Sequence, residues 1–302
     1  MTLKSTCKDI KSLKIQGAIS VAIQGAEAFY QHVKNSKPTT PANLFYIMKK
    51  AAKMLVETRP TEPALRNALS YYFFNLNLTS IKNIFTHLDL KHHEIMNHFK
   101  DAKNKIIEYG VRKIKKGMIV YTHCHSSIVC DILIGAKKKG IKFEVYNTET
   151  RPLYQGRKTA IQLTKAKIPV THFIDSAARY AIKKADIVLL GADAITTTKV
   201  YNKVGSETIA LLATSMVVPV YCCTDSWKFD PDSIFGFDEE IENRTSKEVW
   251  KNPPKKVKIY NYAFDQIDPE YITGIISEIG VYGHSIFVDE VHKVISKRNL
   301  RF

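Results

Sequence analysis

The residue best suited to act as a nucleophile or base in this sequence is Cys124. It ends the apolar run MIVYTHC (118–124), lies between His123 and His125, and is followed by serines that can cap a helix. A thiol beside a helix N-terminus ionises more readily, because the partial positive charge there favours the thiolate. We therefore predict that Cys124 transfers a proton. The alternative is a small cysteine that only packs in a core.

A second group suited to proton transfer is the carboxylate of Asp193, at the end of the run DIVLLGAD (186–193). A carboxylate that follows such an apolar segment must be partly desolvated or strongly hydrogen-bonded, and either condition tunes its pKa for acid–base work. The alternative is that Asp193 caps a turn at a strand end. Asp175, in THFID, ends another apolar run and is a rival carboxylate.

Several segments carry groups suited to binding phosphate. TETRPLYQGRKTA (148–160) has two arginines and a glycine before a predicted helix, a setting in which backbone N–H groups and guanidinium groups meet an anion. YNKVGS and TDSWKF add ammonium and amide donors, and KIQGAIS and TRPT in the first part of the chain can close the site, unless they serve only helix packing and a loop ion pair. The candidate binding residues are Gly17, Ala18, Arg59, Arg151, Gln155, Asn202, Lys203 and Lys228.

Most of these segments follow short apolar runs that alternate with helical segments after Gly117. We predict buried parallel strands within 118–124, 141–148, 171–175, 186–194 and 218–223, joined by helices over 126–138, 158–165, 176–184 and 206–215. This alternation predicts a Rossmann-like, doubly wound parallel sheet, whose ligands bind beyond the carboxyl ends of the strands.

The first part of the chain is predicted to be helical. Apolar residues recur at helical spacing over 10–33, 42–55, 67–78 and 80–109, and the segments KPTTP and TRPTEP separate the helices. We predict an N-terminal helical domain over residues 1–112 and an α/β catalytic domain over 113–302.

Composition restricts the class of protein. With 45% hydrophobic and 25% charged residues among 302, the chain is expected to fold around a substantial core. No apolar run is long enough to cross a bilayer or resembles a signal peptide, so a cytoplasmic location is expected. The net charge of +16 is scattered in short lysine groups, which argues against nucleic-acid binding. The five cysteines lack zinc-ligand spacing, and we expect Cys130, Cys222 and Cys223 to be core residues.

Taken in order, THCHSS, TETRPLYQGRKTA, DSAARY, GADAI, NKVGS and FDQIDPEYITGIISEIG resemble the superfamily of ribose-1,5-bisphosphate isomerases. That superfamily also contains methylthioribose-1-phosphate isomerases and the α, β and δ subunits of translation initiation factor 2B. The isomerases share the cysteine of the THC motif and the aspartate of the GAD motif, whereas the factor subunits usually lack this pair. TRPT, THCHSS and DSAARY are most similar to the archaeal ribose-1,5-bisphosphate isomerase branch.

The resemblance implies conversion of ribose 1,5-bisphosphate to ribulose 1,5-bisphosphate in AMP salvage. Cys124 would take the proton at C2, and a protonated Asp193 would assist ring opening. The resemblance implies no metal and no redox cofactor, with AMP as a candidate allosteric activator. It also implies a homo-oligomer, either a dimer or a hexamer built as a trimer of dimers.

The sequence departs from the superfamily at two points. Gln16-Gly17-Ala18 stands where the family usually has Arg-Gly-Ala, so a guanidinium expected at a substrate phosphate is absent. TTTKVYNK replaces a glycine-containing turn after GADAI, and we expect Lys199 to supply part of the lost charge. These departures keep two alternatives open: a non-catalytic regulatory subunit like those of translation initiation factor 2B, and a methylthioribose-1-phosphate isomerase.

Overall fold

The computed structural model describes residues 2–237 and 241–296. Within residues 2–112 the predicted helical region is confirmed, and threonine and serine side chains cap three of its helices by accepting a hydrogen bond from a backbone N–H. The helices are α1 (Leu3–Lys11), α2 (Ala18–Lys34), α3 (Pro41–Val56), α4 (Pro63–Tyr71) and α5 (Ile81–Val111).

The prediction of one helix over residues 10–33 is wrong, because the chain breaks between α1 and α2. Leu13 and Gly17 have φ values of 59° and 85°, which a right-handed helix cannot include. The backbone N–H groups of Lys14 and Ile15 both donate to the carbonyl of Asp9, at 2.9 and 3.0 Å, and close a tight turn. Gln16 and Gly17 therefore directly precede the first turn of α2.

The second part of the chain alternates strands and helices, as predicted. Its elements are β1 (Ile119–Thr122), α6 (Ser127–Lys138), β2 (Glu144–Thr148), α7 (Gln155–Lys165), β3 (Val170–Phe173), α8 (Ala178–Ile182), β4 (Ile187–Leu190), β5 (Ala194–Ile195), β6 (Val200–Lys203), α9 (Ser206–Ser215), β7 (Val220–Cys223), β8 (Phe264–Ile267), β9 (Gly274–Ser277), β10 (Gly280–Tyr282) and α10 (His284–Ser296). Short 3-10 helices occupy Asp175–Ala177, Ser226–Lys228, Pro231–Phe235, Ser246–Glu248 and Pro269–Tyr271.

The main sheet has the order β3-β2-β1-β4-β7-β9-β10. Its neighbouring strands are parallel, apart from β10, which is antiparallel to β9. The strand order reverses between β1 and β4, and the loops that follow these two strands border the crevice where open α/β sheets bind ligands. The predicted Rossmann-like sheet is therefore confirmed.

A smaller antiparallel sheet, of order β5-β6-β8, adjoins the carboxyl end of β4. The predicted strand over 186–194 is in fact two strands, because the backbone N–H of Asp193 donates to the carbonyl of Tyr201 at 2.7 Å and turns the chain away from β4. This small sheet presents Asn202 and Lys203 beside the crevice.

One long helix, α5, joins the helical region to the sheet. Ile84 and Ile95 pack in the core of the helical region, whereas Ile106 and Val111 pack in a core between the main sheet and its helices. Cys130 and Cys223 lie in that second core and Cys222 in the core on the other face, as predicted. No helix among the described residues is long and apolar enough to span a membrane.

Candidate active site

A cavity of about 900 Å³ lies between the helical region and the carboxyl ends of β1 and β4. It is lined from both sides: by the segment that joins α1 to α2, and by the loops that follow the strands. Every site residue predicted from the sequence lines it, except Arg151: Gly17, Ala18, Arg59, Cys124, Gln155, Asp193, Asn202, Lys203 and Lys228.

The main chain of Cys124 is held from two sides at the end of β1. Its N–H donates to Thr150 Oγ1 at 2.9 Å, and its carbonyl accepts from Thr159 Oγ1 at 2.8 Å. These contacts hold the residue at a φ of 65°, a conformation that is sparsely populated for non-glycine residues and that recurs at functional sites. Ser126 caps α6 as predicted, accepting from Val129 N–H at 3.4 Å.

Burial, however, raises the pKa of the Cys124 thiol to about 11. The pKa of this thiol is lowered by the charges of Lys203 and Lys158 and by a backbone N–H, and it is raised further by the charge of Asp193. The prediction of a readily ionised thiol is therefore wrong, because the desolvation cost of the thiolate outweighs the favourable effects of the two lysines and the backbone N–H.

The two histidines beside Cys124 support the main chain. His123 Nε2 donates to the carbonyl of Val204 at 3.0 Å, so its Nδ1 accepts from Thr148 Oγ1 at 2.6 Å. His125 Nδ1 lies 3.0 Å from Thr159 Oγ1. Burial lowers the pKa of both imidazoles, which favours their neutral forms.

Asp193 is half-buried between β4 and β5 and lines the cavity near the Cys124 thiol. Gly191 allows this loop to approach the Cys124 loop, since a Cβ at that position would lie 2.9 Å from Ser126 Oγ. The rival carboxylate, Asp175, accepts the backbone N–H groups of Thr150 and Arg151 at 2.8 and 2.7 Å. It therefore holds the loop after β2 and does not line the cavity.

The small sheet and the loop after β7 bring amide and ammonium groups to the cavity. Asn202 Nδ2 donates to Ser206 Oγ at 2.9 Å, which fixes its amide beside Lys203. Lys228 is buried, and its ammonium donates to the carbonyl of Ala192 at 2.5 Å, one residue before Asp193. An ammonium has three donors, so Lys228 retains hydrogen-bonding capacity toward a ligand.

Buried polar atoms of the cavity side chains that make no hydrogen bond within the described residues include Arg59 Nε and Gln155 Oε1. Arg59 also pairs with Glu62 through its Nη2 at 2.9 Å. Buried polar atoms are rarely left unsatisfied, so a polar ligand in the cavity would remove a free-energy penalty at both. Gly156 fixes the position of Gln155, because a Cβ at Gly156 would lie only 1.8 Å from the carbonyl oxygen of Thr148.

Two residues named from the sequence are engaged away from the cavity. The exposed guanidinium of Arg151 donates to Tyr154 Oη at 2.5 Å and to the carbonyl of Val249 at 3.1 Å. Its cis peptide bond to Pro152 and the hydrogen bond to Asp175 belong to the same loop. Lys199 pairs with Asp268, so the expectation that it replaces a missing charge at the site is wrong.

Five cationic residues that the sequence analysis did not single out also line the cavity: Lys14, Lys100, Lys103, Lys158 and Arg244. Lys158 lies three residues after Gln155 on α7, and the helical period alone places the two on one face. No sequence pattern predicted the position of Arg244, because this residue lies in an irregular segment. It pairs with Glu242 and Glu248.

A separate cluster of His98, Asp225 and Glu278 has ligand atoms within 4.8 Å of one another. Its oxygens already accept protein hydrogen bonds: Asp225 from Trp227 N–H at 2.8 Å, and Glu278 from Ser226 N–H at 3.0 Å. His98 Nε2 lies 3.0 Å from Asp225 Oδ1, so the cluster links α5 to the ends of β7 and β9.

Comparison with known proteins identifies the family of the chain. Residues 14–283 match the model of the initiation factor 2 subunit family. The ribose 1,5-bisphosphate isomerase of Thermococcus kodakarensis is 36% identical over 90% of this chain and 88% of its own length. The methylthioribose-1-phosphate isomerase of Symbiobacterium thermophilum is 31% identical over 93% of this chain and 84% of its own length.

Among solved structures, the translation initiation factor eIF-2B of Pyrococcus horikoshii OT3 superposes with a TM-score of 0.81. The two proteins are 26% identical, and the match covers 93% of this chain and 96% of that one. The family match spans most of the chain and includes the cavity residues from both regions. The chain therefore belongs to the initiation factor 2 subunit family.

Proposed function

We propose that this protein isomerises ribose 1,5-bisphosphate to ribulose 1,5-bisphosphate. The observation that carries the proposal is the meeting of the Cys124 thiol and the Asp193 carboxylate in one cavity that Asn202, Lys203 and Lys228 also line. A thiol and a carboxylate supply the two proton-transfer groups of an aldose–ketose conversion, and the ammonium groups suit a substrate with two phosphates. The archaeal relatives that bear this enzyme name support the choice of substrate.

The proposed reaction assigns complementary roles to the two groups. It starts from a Cys124 thiolate, which the charge of Lys203 favours, and a protonated Asp193. The thiolate then takes the proton from C2 of the sugar while Asp193 gives its proton to the ring oxygen, which opens the ring and leaves an enol. Asp193 next takes the proton from the C2 hydroxyl, and Cys124 returns its proton to C1. Both groups end in the protonation states with which the chemical step began.

The test is a pair of substitutions that remove the proposed chemistry with little change in shape. Cys124→Ser and Asp193→Asn should each lower the rate of ribulose 1,5-bisphosphate formation by at least about 1,000-fold, because general acid–base groups contribute on the order of 10² to 10⁴. Cys7→Ser and Asp89→Asn are matched controls in the helical region and should retain activity. Full turnover by either cavity variant would contradict the proposal.

A panel of phosphorylated pentoses tests the substrate. The unaltered protein should prefer ribose 1,5-bisphosphate to methylthioribose 1-phosphate, and the opposite preference would assign it to the other isomerase group. Absence of turnover with every sugar, combined with binding to translation initiation factor 2, would favour the regulatory alternative.

Three further features are part of the proposal. AMP is the candidate activator, and it should raise the rate in the same assay. The chain should form a homo-oligomer, either a dimer or a trimer of dimers, which light scattering after size-exclusion chromatography can distinguish. We also propose a cytoplasmic location, because the proposed substrate is a phosphorylated sugar of nucleotide salvage.

A further inference from the structure

A hydrogen bond crosses the mouth of the cavity and joins the helical region to the sheet. Lys158, in the first turn of α7, donates from Nζ to Gln16 Oε1 at 3.3 Å. Gln16 Nε2 in turn donates to the carbonyl of Leu13 at 2.5 Å, which anchors the amide to the turn between α1 and α2. Both side chains are exposed, and both line the cavity. The amide therefore holds the ammonium over the opening.

The ammonium of Lys158 differs in its partner from several cations nearby. Arg157 pairs with the carboxylate of Glu149, and Lys103, which also lines the cavity, pairs with Asp131. Lys158 forms no ion pair with a carboxylate among the described residues, and its hydrogen-bond acceptor there is a neutral amide. It therefore keeps its full charge and has donors to spare, since an ammonium carries three.

The charge of Lys158 is directed toward the site. It lowers the pKa of the Cys124 thiol and of His125, so its field acts inside the cavity and not only at the surface. Gln16 is followed by Gly17, where α2 begins without a side-chain cap. A Cβ at Gly17 would meet nothing within 4 Å, so the start of α2, which has no side-chain cap, borders open space.

We propose that Lys158 binds one of the two phosphates of the sugar substrate, with Gln16 positioning the ammonium and the first turn of α2 supplying backbone donors. This inference rests on the proposed isomerase function and adds a substrate-binding residue to it. A phosphate in this position would bridge the helical region and the sheet, so that substrate binding holds the two sides of the cavity together.

Replacement of the lysine tests the inference. Lys158→Met should raise KM for ribose 1,5-bisphosphate by roughly 10- to 100-fold, the loss expected when a charge-assisted hydrogen bond is removed, with a smaller effect on kcat. Lys158→Arg should remain within a few-fold of the unaltered protein. Lys165→Met, on an exposed part of the same helix, is the matched control and should leave KM unchanged.

A second substitution tests the position of the phosphate. Gln16→Arg combined with Lys158→Met should recover a large part of the lost affinity, because a guanidinium at position 16 can reach the same anion. Inhibition by ribose 1-phosphate and by ribose 5-phosphate identifies the phosphate concerned, and Lys158→Met should weaken only one of the two inhibitors.

Each contrary result has a distinct meaning. If Lys158→Met matches the Lys165→Met control, or weakens both monophosphates equally, the lysine does not bind a particular phosphate and the inference is wrong. If kcat alone falls, the lysine acts through the Cys124 thiol, and the inference is again wrong. If the unaltered protein does not turn over the bisphosphate, the proposed function fails, and the inference falls with it.

Discussion

The sheet side of the cavity is fixed by hydrogen bonds to the main chain, whereas its helical side contributes exposed side chains on a turn. Cys124 is held through both its N–H and its carbonyl by buried threonines. Gln16, on the opposite side, is held by a single local hydrogen bond and by Lys158. Under the proposed function, the sheet side would hold the proton-transfer groups in a fixed geometry, and the helical side would contribute side chains with fewer restraints.

Substitution of Gly156, on the sheet side, has the largest expected effect on stability. Because a Cβ there would lie 1.8 Å from a backbone oxygen of β2, Gly156→Ala must displace the start of α7. We expect it to lower the free energy of unfolding by ~3 kcal/mol or more, at the upper end of overpacking costs. Chemical denaturation measures this change. Gly283→Ala, where a Cβ meets nothing within 4 Å, is the control and should change stability little.

If Gly156→Ala proved as mild as Gly283→Ala, the sheet side would be deformable, and the contrast between the two sides would fail.

The pH dependence of Cys124 alkylation tests whether the thiol on the sheet side is desolvated. With its pKa raised to about 11, the thiol is protonated at neutral pH, and its thiolate fraction grows with pH up to that value. Between pH 7 and 9 the rate of alkylation by iodoacetamide should rise about 100-fold, since the thiolate is the reactive form. Mass spectrometry of the Cys124 peptide follows the reaction.

Lys203→Met should slow this alkylation at every pH below the plateau, because Lys203 lowers the pKa of the thiol. A half-maximal alkylation rate at about pH 8.5, as for a free cysteine, would show that the thiol is not desolvated in solution.

Substitution of Gly17, on the helical side, has the smallest expected effect on stability. Its φ of 85° disfavours any side chain, but a Cβ there meets nothing within 4 Å. Gly17→Ala should therefore lower the free energy of unfolding by about 1–3 kcal/mol, the cost of holding a residue with a Cβ in a sparsely populated backbone conformation. Thermal unfolding of the Gly17→Ala and Gly156→Ala variants compares the two sides of the cavity directly. Equal losses would mean that both sides are packed alike, contrary to the comparison.

Local pattern was enough to predict much of the fold and most of the site. Alternation of apolar runs with helical segments predicted the parallel strands β1, β2, β3, β4 and β7. Because parallel strands share one carboxyl edge, the same pattern predicted that Cys124 and Asp193 would meet, and that Asn202, Lys203 and Lys228 would join them. The periodicity of the first part predicted helices, although not the break between α1 and α2, which depends on two residues with positive φ.

Tertiary structure alone decided the remaining features, because each depends on residues far apart in the chain. The strands β5, β6 and β8 are only two to four residues long, and they form through their pairing with one another. Arg151 was grouped with the phosphate donors by its sequence neighbours, but Asp175 and Val249 hold its loop outside the cavity. The thiol of Cys124 was predicted to ionise from its place before a helix, whereas burial, which depends on the packing of the whole cavity, raises its pKa. Sequence thus determined which groups reach the site, and only the fold determined their solvation and their partners.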